Sequence, residues 1–440
     1  MRVLLAVHHF PPRYSAGAEL YVLRLARELL RHGHQAEVVC VETIDVTKPF
    51  GVDVALDQYA GIPVWRLHLG LKGAPAQWSY DNPAIAAWFE QQVQLSQPDI
   101  VHLHSGYLIG IGAVRAAHAQ GIPTVVTLHD YWFLCPRITL LRGDGSLCPQ
   151  PPTDPAECAW CLHLDQRRYR WPARFSAGLA GKVWIALAGQ TERTEQQARR
   201  DTLRAALAQA DLVTSPSQFL ANLFKEWHIP VQTIRLGLPR EPFASVPPVQ
   251  AGSTVRLGYI GQIAPHKGVH LLIRALKRLP ANGKSIELRI FGNLDQHPAY
   301  TRTLRHLIDG APNIHLVGKF RSDQIAHVLG QIDVLVVPSI WYENSPIVVL
   351  EAHASGRPVI ASRSGGLVEL VQDEVDGLLF TAGDSRDLAR QLQRLRTEPG
   401  LLERLRDGIQ PPPLLDEEIQ TIFQHYTALV ERRTASRGIG

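Results

Sequence analysis

Short apolar runs alternate with longer stretches of helical periodicity along most of this chain. Residues 3–7, 36–41, 100–104, 124–129 and 212–215 are brief and largely apolar, whereas 19–31 carries its apolar positions at three- and four-residue spacing. That alternation predicts βα units on a parallel sheet. A second set begins at Val255, with strands expected over 256–260, 287–291, 314–317, 334–337 and 359–361 and helices between them. Between the sets, residues 238–248 are proline-rich and follow neither period, which marks a linker. The organisation predicted is a first domain over 1–238, a linker over 239–254 and a second domain over 255–412. Beyond Pro411-Pro412-Pro413, residues 417–432 read as a last helix.

One helix boundary brings chemistry with it. Pro346 suits a first helical position, Ser345 the cap before it, and Gly356 followed by Pro358 the far end, so a helix is predicted over 346–355. Glu343 then lies before its N-terminus and Glu351 inside it, roughly 7 to 8 Å below the helix start. A nucleotide-sugar matches that layout, with its ribose at Glu351, its diphosphate at the helix N-terminus and its sugar toward Glu343. Two glutamates near a helix start also occur merely because acids are favourable at the positive end of the dipole.

Composition adds bounds. At 440 residues the chain exceeds what one core usually holds, and 45% hydrophobic with 20% charged residues describes an ordinary folded protein. A formal charge of +4 is slight for this length and points to no nucleic-acid partner. The opening MRVLLAVHHFPP is too short an apolar run for a signal peptide, and no uncharged apolar run of spanning length occurs, so a cytoplasmic protein is expected.

Four of the five cysteines, Cys135, Cys148, Cys158 and Cys161, fall within 27 residues, the last two as Cys-x-x-Cys. Four thiolates in one loop suit a structural tetrahedral zinc; the alternatives are reduced structural cysteines and, behind them, a redox or iron–sulfur role, and a disulfide framework does not suit a reducing compartment. Just downstream, 167–175 interleaves basic and aromatic residues and leads into the apolar stretch 179–188. Such a surface suits peripheral contact with anionic headgroups at the inner face of a cell membrane, or is a solvated basic face over ordinary packing.

The stretch 332–366, IDVLVVPSIWYENSPIVVLEAHASGRPVIASRSGG, resembles the donor-site signature of the retaining, two-domain GT-B glycosyltransferases of family 4. HHFPPRYSAGAELYVLRLARELLRHGHQAEVV resembles that family's first strand, glycine loop and first helix. PDIVHLH, TVVTLHDYWFLCPR, DLVTSPSQFL and GYIGQIAPHKGVHLLIRAL follow in the family's order. The resemblance implies an α/β GT-B fold, two Rossmann-like domains facing across a cleft, with the last helix packing back on the first domain. It implies acceptor binding beside Gly17, where this chain has Ala16-Gly17 in place of the usual glycine pair. It implies that His129 binds the transferred sugar and that Lys267 neutralises the donor diphosphate. Glu343 with His129 and Lys267 would form the catalytic set, and Gly261, Gln262, Ser345, Pro346, Ile347, Val348 and Glu351 would complete the donor site. Gln262 stands where many relatives carry arginine, leaving more of the electrostatic work to Lys267 and the helix start.

The function implied is retaining transfer of a sugar from a nucleoside-diphosphate donor to a hydroxyl of a glycan or lipid-linked acceptor in cell-surface polysaccharide or glycolipid assembly. No cofactor or catalytic metal is expected. Two other classes compete: a non-catalytic sugar-nucleotide-binding partner of another transferase, and a dinucleotide-dependent oxidoreductase. For the latter the glycines of residues 106–112 lack the required Gly-x-Gly-x-x-Gly order.

Overall fold

A computed structural model describes all residues except Ser15, Ala188, 248–251, 281–282 and 438–440. Parts of the expected acceptor-side loop (Ser15), of the apolar stretch 179–188 (Ala188) and of the linker (248–251) thus lie outside the described residues. The chain forms two compact units, 1–234 with 419–440, and 235–418.

The first unit is built on an eight-stranded sheet in the order β3-β4-β2-β1-β5-β6-β7-β8. Its strands are β1 (Arg2–Val7), β2 (Gln35–Pro49), β3 (Gly51–Tyr59), β4 (Ile62–Lys72), β5 (Ile100–His104), β6 (Thr124–Thr127), β7 (Leu212–Ser215) and β8 (Gln232–Thr233). Only β3 runs antiparallel, folding back on β4 across a turn in which Ala60 and Gly61 both take positive φ. β1, β5 and β6 are buried almost throughout because a parallel sheet covered by helices buries both faces of its central strands. β2 continues well past the predicted 36–41, and the β3–β4 hairpin and β8 were not expected from periodicity. The hairpin's outer strand is mostly exposed and mixes apolar with polar residues on no clear face, so its pairing is visible only through its partner. Arg66 on β4 ties this extension together, donating to Glu42 at 2.8 Å, Asp57 at 2.7 Å and the carbonyl of Pro11 at 2.9 Å.

The second unit carries a wholly parallel six-stranded sheet in the order β11-β10-β9-β12-β13-β14. These strands are β9 (Thr254–Ile260), β10 (Ser285–Phe291), β11 (Ile314–Gly318), β12 (Val334–Val337), β13 (Val359–Ser362) and β14 (Gly377–Phe380). All but β14 were anticipated; GLLF is too short a run to stand out by pattern. The core joins Leu257, Tyr259, Val334 and Val336 to Leu272, Leu388 and Leu392 of the covering helices.

Three local expectations need correction. The strand expected to reach His129 pairs only to Thr127, with Leu128 N–H still donating to Thr214 at 2.8 Å, so His129 lies in the loop beyond. The helix expected over 346–355 runs Ile347–Ala354: Pro346 holds an extended ψ of 112° and occupies the cap position expected for Ser345, with no side-chain cap bond. The proline-rich 238–248 is not featureless, since Glu241–Ala244 forms a short helix that buries Phe243 and Leu238 bridges to Leu414. The far end of the helix at 347 is as anticipated: Gly356 takes φ +72° and Arg357 N–H returns to Ala352 at 2.9 Å.

The final helix, Leu415–Arg437, belongs to the first unit from Ile419 onward. Its Tyr426 is wholly buried and its hydroxyl meets His102 Nδ1 at 2.5 Å, while His102 Nε2 meets Thr127 Oγ1 at 2.7 Å. Tyr426→Phe should therefore leave a buried ring nitrogen without its partner and cost about 1–3 kcal/mol, read as a lowered urea midpoint with unchanged slope. An unchanged midpoint would show that this bond holds nothing.

Candidate functional site

In the second unit the site begins where β9 ends. Gly261 N–H donates to Phe291 at 3.1 Å, and the hydroxyl of buried Tyr259 donates to the Gln262 carbonyl at 2.6 Å, so the turn after the strand is pinned from beneath. The single 3₁₀ turn Pro265–Lys267 follows, closed by Gly268 at φ +73°. A Cβ on Gly268 would lie 1.8 Å from the Pro338 carbonyl oxygen, so only glycine lets the loop approach the end of β12 this closely. Ile340 N–H donates to His266 at 2.8 Å and joins the two loops directly.

That apposition brings Lys267 to Glu343. Lys267 Nζ lies 2.8 Å from Oε1 and 3.1 Å from Oε2, and 4.6 Å from the centre of the Trp341 ring. Glu343 Oε1 also accepts from Ser339 Oγ at 2.5 Å and from Trp341 Nε1 at 2.8 Å. Burial alone would raise the Glu343 carboxyl; the Lys267 charge, with the bonds from Lys267, Ser339 and Trp341, outweighs it and holds the group below its ordinary value. Burial, helped by the Lys267 charge, pushes neighbouring His266 down to about 4 and keeps it neutral. Behind the glutamate, Gly366 N–H donates to the Glu343 carbonyl at 2.7 Å, and a Cβ on Gly366 would lie 1.7 Å from the Asn344 carbonyl. Ser345, Pro346, Ile347, Val348 and Glu351 follow as partly exposed residues at and within the start of the helix. Its first backbone N–H groups have no acceptor within the helix.

Sequence reasoning assigned Lys267 and Glu343 to different parts of one ligand; the structure shows them bonded to each other. It did not name Ser339, Trp341 or Gly366. For Ser339 and Trp341 the signal was their closeness in sequence to Glu343 on one loop; for Gly366, which comes from the loop after another strand, there was none.

In the first unit, polar side chains gather at the carboxyl ends of β1, β5 and β6. His129 Nε2 meets His104 Nδ1 at 3.1 Å. Asp130 accepts from Ser105 Oγ at 2.6 Å and from Trp132 N–H at 2.8 Å, and Ser105 itself takes φ +66°, a conformation costly for a non-glycine residue. His8, directly after β1, places Nε2 3.3 Å from Glu19 Oε1. Glu19 sits in the first turn of the helix Gly17–Arg31, and a Cβ on Gly17 would meet nothing within 4 Å, so the space at this helix start is open. His8 Nδ1, Glu19 Oε2 and His104 Nε2 are buried with no hydrogen-bond partner among the described residues. Burial pushes His129 down to about 3, aided by the His8 charge, and holds His102 and His104 well below their ordinary value. Burial would lower His8 as well, but its bond and charge contact with Glu19 win and raise it. The His8–Glu19 pair escaped sequence reasoning, although an acid two residues after Gly17 and a histidine at the end of β1 were its visible traces.

The four clustered cysteines lie between β6 and the helix Gln190–Ala208, with Cys158 and Cys161 on the helix Pro155–His163. All are free thiols, and Cys148 Sγ donates to the Gln150 carbonyl at 3.1 Å. Burial pushes Cys158 up to about 12 and raises Cys148 and Cys161. Among the described residues no group of three or more His, Cys, Asp or Glu side chains is placed to hold a metal ion. No described helix is long and apolar enough to cross a membrane.

The family described as Glycosyl transferase 4-like domain matches residues 16–237, and that described as Glycosyl transferases group 1 matches residues 254–398. The chain is 26% identical to a D-inositol 3-phosphate glycosyltransferase of Stackebrandtia nassauensis, over 96% of this chain and 89% of that one. It is 26% identical to a GDP-mannose-dependent alpha-mannosyltransferase of Mycobacterium tuberculosis, over 99% and 98%. Its fold superposes on Anabaena HepE, solved with UDP and glucose, with a TM-score of 0.63 at 18% identity, over 97% of this chain and all of that one. The two parallel-sheet α/β units and this likeness together identify a GT-B fold.

Two outcomes follow from the site. The folded state keeps His102, His104 and His129 neutral while the unfolded chain protonates them below their ordinary 6.5, so thermal stability should fall as pH drops below 6.5. His129→Gln should make that fall shallower. His8→Gln should act with the opposite sign, because a raised folded value gives stability that is fully present below 6.5 and lost as pH rises through the folded value. Parallel pH profiles for the two variants would refute the assignment. For the cysteines, burial of Cys148, Cys158 and Cys161 predicts slow alkylation in the native protein and full alkylation once it is unfolded; close to one zinc per chain on metal analysis would show instead that an ion draws the sulfurs together.

Proposed function

The chain belongs to the group 1, 4-like glycosyltransferases and is a glycosyltransferase enzyme; from that premise we propose that it moves a sugar with retention from a nucleoside-diphosphate donor to a hydroxyl of a glycan or lipid-linked acceptor. The observation that carries the reading is the Lys267–Glu343 pair beside the open start of the helix Ile347–Ala354. An arriving diphosphate competes with Glu343 for the Lys267 ammonium and gains the unpaired N–H groups of Ile347 and Val348. Glu343, relieved of part of its ion pair, then has acceptor capacity for a sugar hydroxyl. Glu351, one turn inside the helix, takes the ribose hydroxyls. That HepE holds UDP and that the mycobacterial relative is named as GDP-mannose-dependent support a nucleoside-diphosphate donor without choosing its base.

His129, neutral at physiological pH because burial pushes it to about 3, suits a hydrogen bond to a hydroxyl of the transferred sugar rather than proton abstraction. The acceptor hydroxyl, entering beside Gly17, would attack on the face the diphosphate is leaving, and a departing phosphate oxygen would take its proton. Lys267 and the helix start hold the leaving charge, so the scheme requires no metal ion. Catalysis is then positioning and charge stabilisation. Cell-surface polysaccharide or glycolipid assembly at the cytoplasmic face is the setting this chemistry fits.

A thermal-shift panel of nucleoside diphosphates identifies the base, since a ligand bound only by the native state raises its stability. Against the base so found, Glu351→Ala should weaken binding by about 1.5–3 kcal/mol, the worth of hydrogen bonds to a charged group. His129→Ala should leave that affinity nearly unchanged while lowering turnover strongly. No nucleoside diphosphate binding at all, in folded protein, would overturn the proposal.

A further inference from the structure

The helices Arg167–Phe175 and Leu179–Leu187 of the first unit have their apolar residues on the wrong side for a globular protein. Their inner face is already satisfied. Tyr169 packs edge-on against Trp160 at 5.8 Å between ring centres, and Trp184 lies 5.6 Å from Trp160 and 4.8 Å from His163. Gly181 is buried against the same indole, where a Cβ would lie 2.7 Å from Nε1. Yet the opposite face carries Trp171, Phe175, Leu179, Val183 and Leu187, exposed by 56%, 72%, 62%, 48% and 83%. Within each helix these positions recur every four residues, the spacing that lines them along one face. Trp171 and Phe175 lie side by side with their rings tilted and centres 5.3 Å apart. Scattered exposed apolar side chains need no explanation, but an aligned ridge of five marks a contact surface.

Charge decides what the surface contacts. Between Asp165 and Glu192 the chain holds Arg167, Arg168, Arg170, Arg174 and Lys182 and no acidic residue. The formal charge of the whole chain is only +4, so this segment alone accounts for its positive excess. Arg170 is spent internally, donating to the carbonyls of Leu164 at 2.9 Å and Asp165 at 2.7 Å. Arg167, Arg168, Arg174 and Lys182 are exposed and form no ion pair among the described residues. A second copy docked here would set these cations against their own kind. An anionic bilayer surface satisfies both features together, with the ridge among the acyl chains and the guanidinium groups at lipid phosphates.

We propose that the hairpin of helices 167–175 and 179–187 docks this enzyme on anionic phospholipid membranes, with Trp171, Phe175, Leu179, Val183 and Leu187 inserted and Arg167, Arg168, Arg174 and Lys182 on headgroup phosphates. The surface goes beyond the transfer reaction and does not depend on it, so it is tested by binding alone. The full chain is sedimented with vesicles of phosphatidylcholine, and of phosphatidylcholine with phosphatidylglycerol, at low and high salt. Binding is expected only with the anionic lipid and is expected to weaken with salt. Arg167→Gln, Arg168→Gln, Arg174→Gln together should lower the partition coefficient by roughly a hundredfold, at about a fivefold loss per cation removed near the surface. Leu179→Ser, Val183→Ser, Leu187→Ser should lower it comparably and be insensitive to salt in the loss it causes. Because these side chains are exposed, both variants should keep the parent's thermal midpoint and circular dichroism. Tryptophan emission should shift to the blue on vesicle binding and lose most of that shift in Trp171→Ser. Equal binding to neutral vesicles, no binding to either, or ridge variants that only abolish self-association in light scattering would each overturn the proposal.

Discussion

Glu343 is a carboxylate held away from water, and the second unit's site is organised around making that tolerable. An isolated buried carboxylate is unaffordable to a fold of ordinary stability, and removing one partner of a buried ion pair typically costs about 3–5 kcal/mol. Here Lys267, Ser339 and Trp341 all converge on the one group. The convergence requires loops from two strands to touch, which is possible only where Gly268 meets Pro338 and Gly366 meets Asn344 without a side chain between. The backbone is thus shaped by a charge that the unliganded protein gains little from burying. An ammonium and a carboxylate that can each be released to a ligand of opposite or complementary character are the return on that arrangement.

The first unit solves a different problem with the same topology. The carboxyl ends of β1, β5 and β6 bring His8, His104 and His129 together, where three cations could not coexist. Burial leaves His104 and His129 neutral, and only His8, beside Glu19, is favoured as a cation. One unit therefore presents neutral imidazole next to a single compensated charge, and the other presents a compensated ammonium next to unpaired helix N–H groups. In open α/β sheets ligands bind beyond the carboxyl ends of strands, and both clusters lie there.

The hairpin of residues 167–187 contributes a residue to neither cluster. Its inner aromatic face is used for packing on Trp160, so its outer ridge cannot be excused as core residues awaiting a fold partner. Its unbalanced cations occur in a chain whose remaining charges nearly cancel.

How much was legible follows the range of the forces involved. Local propensity and period are short-range, so β1, β5, β9, β10, β12 and the helix Ile347–Ala354 were readable from runs of residues, and motifs marked Lys267, Glu343, Glu351 and His129 as candidates. Ser345's supposed cap and the strand reaching His129 failed by one or two residues, because termini are set by which backbone groups find partners. The β3–β4 hairpin was missed for a related reason: an exposed edge strand buries no face and so carries no periodic signal until its neighbour is in place. By itself the sequence determined the two α/β units and their order, and it singled out candidate groups in each. Only the tertiary structure decided that Lys267 pairs with Glu343, that Glu19 answers His8 and that the apolar edge of residues 171–187 faces outward. Each depends on contacts between residues far apart in the chain or on which face packs inward, and burial, which sets the strength of every charge in these sites, does not exist until the chain has folded.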